Sequence, residues 1–248
     1  KNYALLTDER YDVIMNDSTF PGKSGSSSLY TRDHFLACRK LLTQSGVMSS
    51  WVPFELRPQQ FQSIVRTFQS VFPHTTLWLA KNCRNKHALL VGTVQPFSMD
   101  FDRVKELINI PAVKADLEEV SLANPIALLG AFALGPQAVE AYSAHAVINT
   151  DEYPSLEFAA GRYPTRTGYW AANHEDFLMR SSSILPHVSF SKTGAEERAP
   201  ILTAMQRQEQ ANFRSEKARL AELVDESRDS IGQYPFLTLQ RQGDSDIR

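Results

Sequence analysis

The feature that most restricts this chain is a change of apolar rhythm that repeats between Tyr11 and Val94. "YDVIM" reads as a buried strand, and "RDHFLACRKLL" then puts Phe35, Leu36, Cys38, Leu41 and Leu42 on one helical stripe. "SGVMSSWV" supplies a turn and a second strand. Arg57 to Phe72 returns to helical spacing, with Phe61, Ile64, Val65, Phe68, Val71 and Phe72 on the apolar face. Pro58 suits its first turn and Pro73 marks its end. Two β-rich runs follow, "TTLWLA" and "HALLVGTV", separated by the polar "KNCRNK", which reads as a hairpin or short loop. The order β-α-β-α-β-β is what crossover helices on a parallel sheet require, so an α/β fold with a mostly parallel sheet is expected.

Past Pro96 the character turns helical, with "MDFDRVKELINI", "AVKADLEEVSL", "PIALLGAFAL" and "PQAVEAYSAH" each bounded by Pro, Gly, Asn or Ser. An irregular stretch rich in Tyr and Pro comes next, "NTDEYPSLEFAAGRYPTRTGYW". From Ala195 to about Ile231 the chain is strongly charged with apolar residues thinly spread, which predicts a solvated helix or helical hairpin rather than a packed core element. The division expected is residues 1–97, residues 98–162 completing the same domain, and a helical tail over 163–248.

Composition removes several function classes. The formal charge of −2, with acids and bases interspersed, provides no electrostatic basis for wrapping nucleic acid or lying on anionic lipid. Cys38 and Cys83 lack zinc-ligand spacing and define no disulfide framework, which fits a reducing compartment. The histidines are scattered without a Cys or His partner at ligand spacing, so no metal site is expected. Ser26–Ser28 and Ser181–Ser183 lack the G-x-S-x-G setting of a hydrolase nucleophile. No apolar run approaches the roughly 20 residues that cross a bilayer, so a soluble, cytoplasmic chain is expected. The sequence opens on Lys1 inside what reads as an element already under way, and an N-terminally incomplete domain is expected.

Chemistry concentrates in "YDVIMNDSTFPGKSGSSSLYT", where a strand delivers Asp17 into a loop of Ser, Thr, Gly and Pro. Ligands of open α/β sheets bind beyond the carboxyl ends of the strands, where loops diverge. A carboxylate placed there can accept a proton from an attacking amine or hold an ammonium. The local pattern equally fits a strand-end turn residue whose side chain bonds nearby amides.

This stretch, continued through "RDHFLACRKLLTQSGVMSSWV" to "VFPHTTLWLA", resembles the second half of the catalytic domain of spermidine synthases, the polyamine aminopropyltransferases. It looks closest to the bacterial branch in which that domain is often fused to a membrane-spanning part. "INTDEYPSLEF" is similar to the Asn-Ser/Thr-Asp segment near the family's C-terminal region. The resemblance implies the C-terminal half of a methyltransferase-like, Rossmann-type fold followed by a helical extension. It implies decarboxylated S-adenosylmethionine, or S-adenosylmethionine itself, as donor, a small-molecule amine as acceptor, and no metal. Asp17 falls on the family's catalytic carboxylate, as general base. Ser18 and Thr19 would line the donor site and Leu29 would lie near the adenine. Phe20, Tyr30, Trp51, Ile148 and Asp151 would face the acceptor. A fused membrane domain at a cytoplasmic membrane face, and a homo-oligomer, are open to such a protein.

Departures from the family fall on the acceptor side. Phe20 replaces the second carboxylate of the family's D-S-S-D-P, Trp51 stands where polyamine-forming members tend to place Gln, and Ile148 where they tend to place Tyr. A ring can meet a cation through its π face for ~0.5–2 kcal/mol, against roughly 1.5–3 for a charge-assisted hydrogen bond. Putrescine is therefore expected to be a poor acceptor. The glycine-rich loop and the acidic donor contacts of the family belong upstream of Lys1, so the chain alone is expected to bind donor poorly and to expose a sheet edge and an apolar face. Two other readings stand beside transfer of an aminopropyl group: a non-catalytic descendant that binds a ligand or regulates an attached membrane module, and a methyltransferase. Asp151, Glu152 and Glu157 could ligate a cation or close the cleft, and Asp151 also fits a turn and helix cap.

Overall fold

A computed structural model describes residues 1–17, 20–23, 25–79, 86–160 and 167–231. The alternation read between Tyr11 and Thr93 is present: α1 (Asn2–Leu6), β1 (Tyr11–Asn16), a 3-10 turn (Ser26–Tyr30), α2 (Arg32–Leu41), β2 (Leu42–Pro53), α3 (Pro58–Gln69), β3 (His74–Trp78) and β4 (His87–Thr93). Thr31 caps α2 by accepting from the His34 amide at 3.3 Å. Gln60 Oε1 accepts from the Arg57 amide at 3.2 Å at the start of α3, where Pro58 occupies the first turn. All six apolar residues assigned to the inner face of α3 are fully buried. On α2 the stripe is narrower than its spacing suggested, because Leu36 stays 37% exposed while His34, Phe35, Ala37, Cys38 and Leu41 turn inward.

The remaining elements are β5 (Met99–Asp100), α4 (Phe101–Ile108), α5 (Pro111–Glu119), α6 (Pro125–Leu129), β6 (Phe132–Leu134), α7 (Pro136–Ser143), α8 (Ser155–Ala160), α9 (Thr167–Arg180), a 3-10 turn (Leu185–His187), β7 (Val188–Ser189) and α10 (Ala195–Ile231). Where one helix was expected over "PIALLGAFAL", the chain turns at Gly130 and its second half becomes β6. Helix α9 occupies the end of the stretch read as irregular. The loop read at "KNCRNK" lies outside the described residues except for Lys86.

The expected mostly parallel, Rossmann-type sheet is not what forms. The five-stranded sheet has the order β1-β2-β4-β3-β6. Within it only β1 and β2 pair in parallel, whereas β2–β4, β3–β4 and β3–β6 are antiparallel. The cause is the short link between β3 and β4. A parallel return needs a crossover of about a dozen residues or more, and the link is too short for one. Strand β4 therefore returns antiparallel and inserts between β2 and β3, reversing both neighbouring pairs.

The main core lies where α2 and α3 cover this sheet. Phe35 meets Phe68 edge-on at 5.0 Å, and Phe68 lies 4.9 Å from Phe72. Phe177 of α9 joins the column against Phe61 at 5.1 Å and Phe54 at 5.3 Å. A second core, around Phe101, Leu129, Phe132, Ile184 and Met205, joins α4, α6, β6 and α10. At the opposite sheet edge β1 is bare, with Val13 60% and Met15 76% exposed. This strand, expected to be buried, has one open side.

Helix α10 departs from the solvated helix expected. Met205, Asn212 and Glu216 are buried, and Asn212 Nδ2 donates to the Gly130 carbonyl at 3.0 Å. Its inner face combines Met205 with polar residues, Asn212 and Glu216, whose partners lie on other elements.

Helix α3 reaches β4 through a missing side chain. A Cβ at Gly92 would come within 2.6 Å of both the Phe68 ring and Phe72 Cβ. Gly92→Ala should therefore destabilise the fold by about 1–3 kcal/mol through overpacking, read as a lower denaturant midpoint with unchanged slope.

Candidate functional site

Asp17 follows β1 directly, and the parallel register that pairs Asn16 with Ser50 sets it level with Trp51. It is exposed and makes no hydrogen bond to another described residue. Strand β4 starts on the same rim, because His87 pairs with Pro53 near the end of β2. The His87 ring lies 5.8 Å from that of Trp51. Burial lowers the His87 pKa, and the negative charge of Asp17 works in the opposite direction. The carboxylate, indole and imidazole thus share the rim where β1 and β2 end and β4 begins. Sequence reasoning counted His87 only among the scattered histidines, because its place depends on strand order and has no local signature.

Ser18 and Thr19 lie outside the described residues. Phe20 is half-buried against the main core, and its ring lies across Gly22, where a Cβ would approach it to 2.6 Å. Leu29 is half-buried, and its carbonyl accepts from Asn16 Nδ2 at 3.1 Å. Tyr30 is fully buried, and its hydroxyl donates to the Trp51 carbonyl at 2.9 Å. The structure therefore brings Leu29, Tyr30 and Trp51 to the ends of β1 and β2, beside Asp17. Asp151 sits instead on the first turn of α2, its amide donating to Asp33 Oδ2 at 2.9 Å and its carboxylate pairing with Lys1. Ile148 is half-buried and precedes Asn149.

Asn149, fully buried, ties this region together. Its amide donates to Thr67 Oγ1 at 2.8 Å, its Nδ2 to the Tyr30 carbonyl at 3.1 Å, and its carbonyl accepts from the Arg32 amide at 2.8 Å. Its Oδ1 accepts from Ser155 Oγ and the Leu156 amide, both at 3.3 Å. One side chain and its backbone thereby link α3, the start of α2, the 3-10 turn and α8. Glu157 adds a second clamp, accepting from the Gly25 amide at 3.2 and 3.3 Å and from Ser27 Oγ. Gly25 has φ +82°, a conformation glycine adopts without a Cβ clash. Of the acidic cluster read around Pro154, Glu157 is thus committed to holding the loop. Among the described residues no group of three or more His, Cys, Asp or Glu is arranged to hold a metal ion.

His34 and Cys38 were read as isolated, yet their i, i+4 spacing on α2 places Cys38 Sγ 3.6 Å from His34 Nε2. Burial depresses His34 to about 4 and raises Cys38 to about 11. Near neutral pH both are uncharged, a packed pair and not a thiolate nucleophile.

Residues 1–82 match the family model of the spermine/spermidine synthase domain. No curated protein matches the chain. The matched stretch runs from α1 through β3 and contains Asp17, Tyr30 and Trp51, while His87, Ile148, Asn149 and Asp151 lie beyond it. The similarity is at the level of the family domain over one part of the chain. Among the described residues no helix is long and apolar enough to cross a membrane.

Two outcomes follow from this geometry. Asn149→Ala removes the donor to the Tyr30 carbonyl and leaves the buried Leu156 amide without its side-chain acceptor, costing about 1–3 kcal/mol, and should lower the thermal midpoint. His34 has a folded pKa below its ordinary 6.5, so the unfolded chain takes up the proton first; stability should fall as pH drops from about 6.5 to about 4. His34→Gln should flatten that part of a pH series of denaturant melts.

Proposed function

We propose that the chain is part of a spermidine-synthase-like transferase, moving an aminopropyl group from decarboxylated S-adenosylmethionine to an amine, with Asp17 as general base. The observation that carries this reading is the exposed Asp17 carboxylate just past the end of β1, a strand parallel to β2, level with Trp51 and inside the stretch that matches the family domain. In such a reaction the amine lone pair attacks the methylene carbon bonded to the sulfonium. The C–S bond breaks with its electron pair going to sulfur, which leaves as a neutral thioether. The proton of the new ammonium passes to Asp17. A carboxylate exposed at the strand end, with no hydrogen bond to another described residue, suits that acceptance. Trp51 and Phe20 would give the acceptor pocket aromatic walls, and Ser18, Thr19 and Leu29 would meet the donor. The reaction would take place in the cytoplasm.

A second reading has its own support. Phe20 stands where the resemblance places a carboxylate, and its ring is packed on the core across Gly22. A descendant that binds a ligand without turning it over, or that regulates an attached membrane module, would tolerate that loss.

In the full-length protein, Asp17→Asn should lower turnover on the order of 10²–10⁴-fold while donor affinity, read by calorimetry, stays within about twofold. Unchanged turnover would remove Asp17 as base. Donor binding without transfer to any amine supports the non-catalytic reading, and transfer of a methyl group from S-adenosylmethionine would place the protein among methyltransferases.

A further inference from the structure

A cavity of about 420 Å³ lies at the opposite edge of the sheet from β1, beside the edge strand β6 and against α9 and α10. Its volume falls in the range of small-molecule sites, roughly 300–1,000 Å³. Phe132 of β6, Phe177 and Leu178 of α9, and Phe213 of α10 form apolar walls. The polar side holds His174, Glu209, Glu216 and the run Ser181–Ser183.

Two of these polar residues are ionisable groups withdrawn from water, with His174 5% and Glu216 4% exposed. His174 Nε2 lies 2.5 Å from Glu216 Oε2. That contact occupies one of the two carboxylate oxygens of Glu216. Glu216 Oε1 receives no hydrogen bond from another described residue. Glu209 differs: its carboxylate accepts from Ser183 Oγ at 2.9 and 3.0 Å and from the Ile184 amide at 2.9 Å. A link between α9 and α10 alone would be served by any hydrogen-bonded pair, and a buried carboxylate with an unused oxygen is a costly way to make one. Its cost is recovered when a cation arrives. Arg214 is the remaining charge on the lining, and it is exposed on the outer turn of α10.

We propose that this cavity binds an amphipathic primary amine, its ammonium on Glu216 Oε1 and the serine hydroxyls, its hydrocarbon body against Phe132, Phe177 and Phe213. His174 is a positioning residue that fixes the Glu216 carboxylate. The site shares no residue with the Asp17 rim and stands or falls independently of the transferase reading.

Calorimetric titration of the full chain with phenethylamine at neutral pH tests it. A single saturable site is expected, with 2-phenylethanol at least tenfold weaker because it lacks the charge. Glu216→Gln retains an acceptor for His174 and removes the charge, and should weaken phenethylamine about tenfold or more. Leu178→Trp fills the cavity from a half-buried position one helical turn from His174, and should abolish binding even if the first variant fails to fold. Absence of saturable binding, equal affinity in folded Glu216→Gln, retained binding in Leu178→Trp, or a preference for 3-phenylpropionate would each overturn the proposal.

Discussion

The fold depends on where one strand goes. Strand β4 enters between β2 and β3, and α3 can lie against it because Gly92 has no side chain to hold Phe68 and Phe72 away. That contact joins the aromatic column of α3 to the middle of the sheet. The same insertion carries His87 to the rim where β1 and β2 end, so the arrangement around Trp51 is a product of topology as much as of sequence. Direction matters too: β1 and β2 are parallel, and this puts Asp17 and Trp51 at the same end of the sheet.

Much of this architecture is legible in the chain and some is not, for physical reasons. The α3 face shows through because six large apolar residues repeat at helical period and all are buried. Strand direction does not show through, since it is set by the length of a connection and by which neighbour a strand finds. The hairpin-like spacing before His87 held the necessary hint, for a link that short forces reversal. Strand β6 hides inside a run whose composition suits a helix, and pairing with β3 decides the matter. Helix α10 misleads in the other direction. Its inner surface carries polar residues beside Met205, and the buried polar groups find partners on elements distant in sequence, as Asn212 does at Gly130.

At the candidate site, Asp17 is visible as a carboxylate where a strand breaks into turn residues. Asn149 and Glu157 show only as parts of a family-like segment and an acidic cluster, because their role as clamps comes from hydrogen bonds to segments more than a hundred residues away. A clamp of this kind has no local pattern. It adds polar ties to the packing of Phe20 on the core: the Gly25 amide and Ser27 hydroxyl are held by Glu157 of α8, and the Tyr30 carbonyl by a buried asparagine.

The bare side of β1 has a chemical corollary. Met15 projects into solvent from that strand, while Met48, paired in the sheet with the adjacent Ile14, is sealed in the core, as is Met205 beneath α10. Peroxide would therefore convert the first thioether to its sulfoxide long before the other two. The edge thus carries its own footprinting label, one whose protection would report anything that comes to cover it.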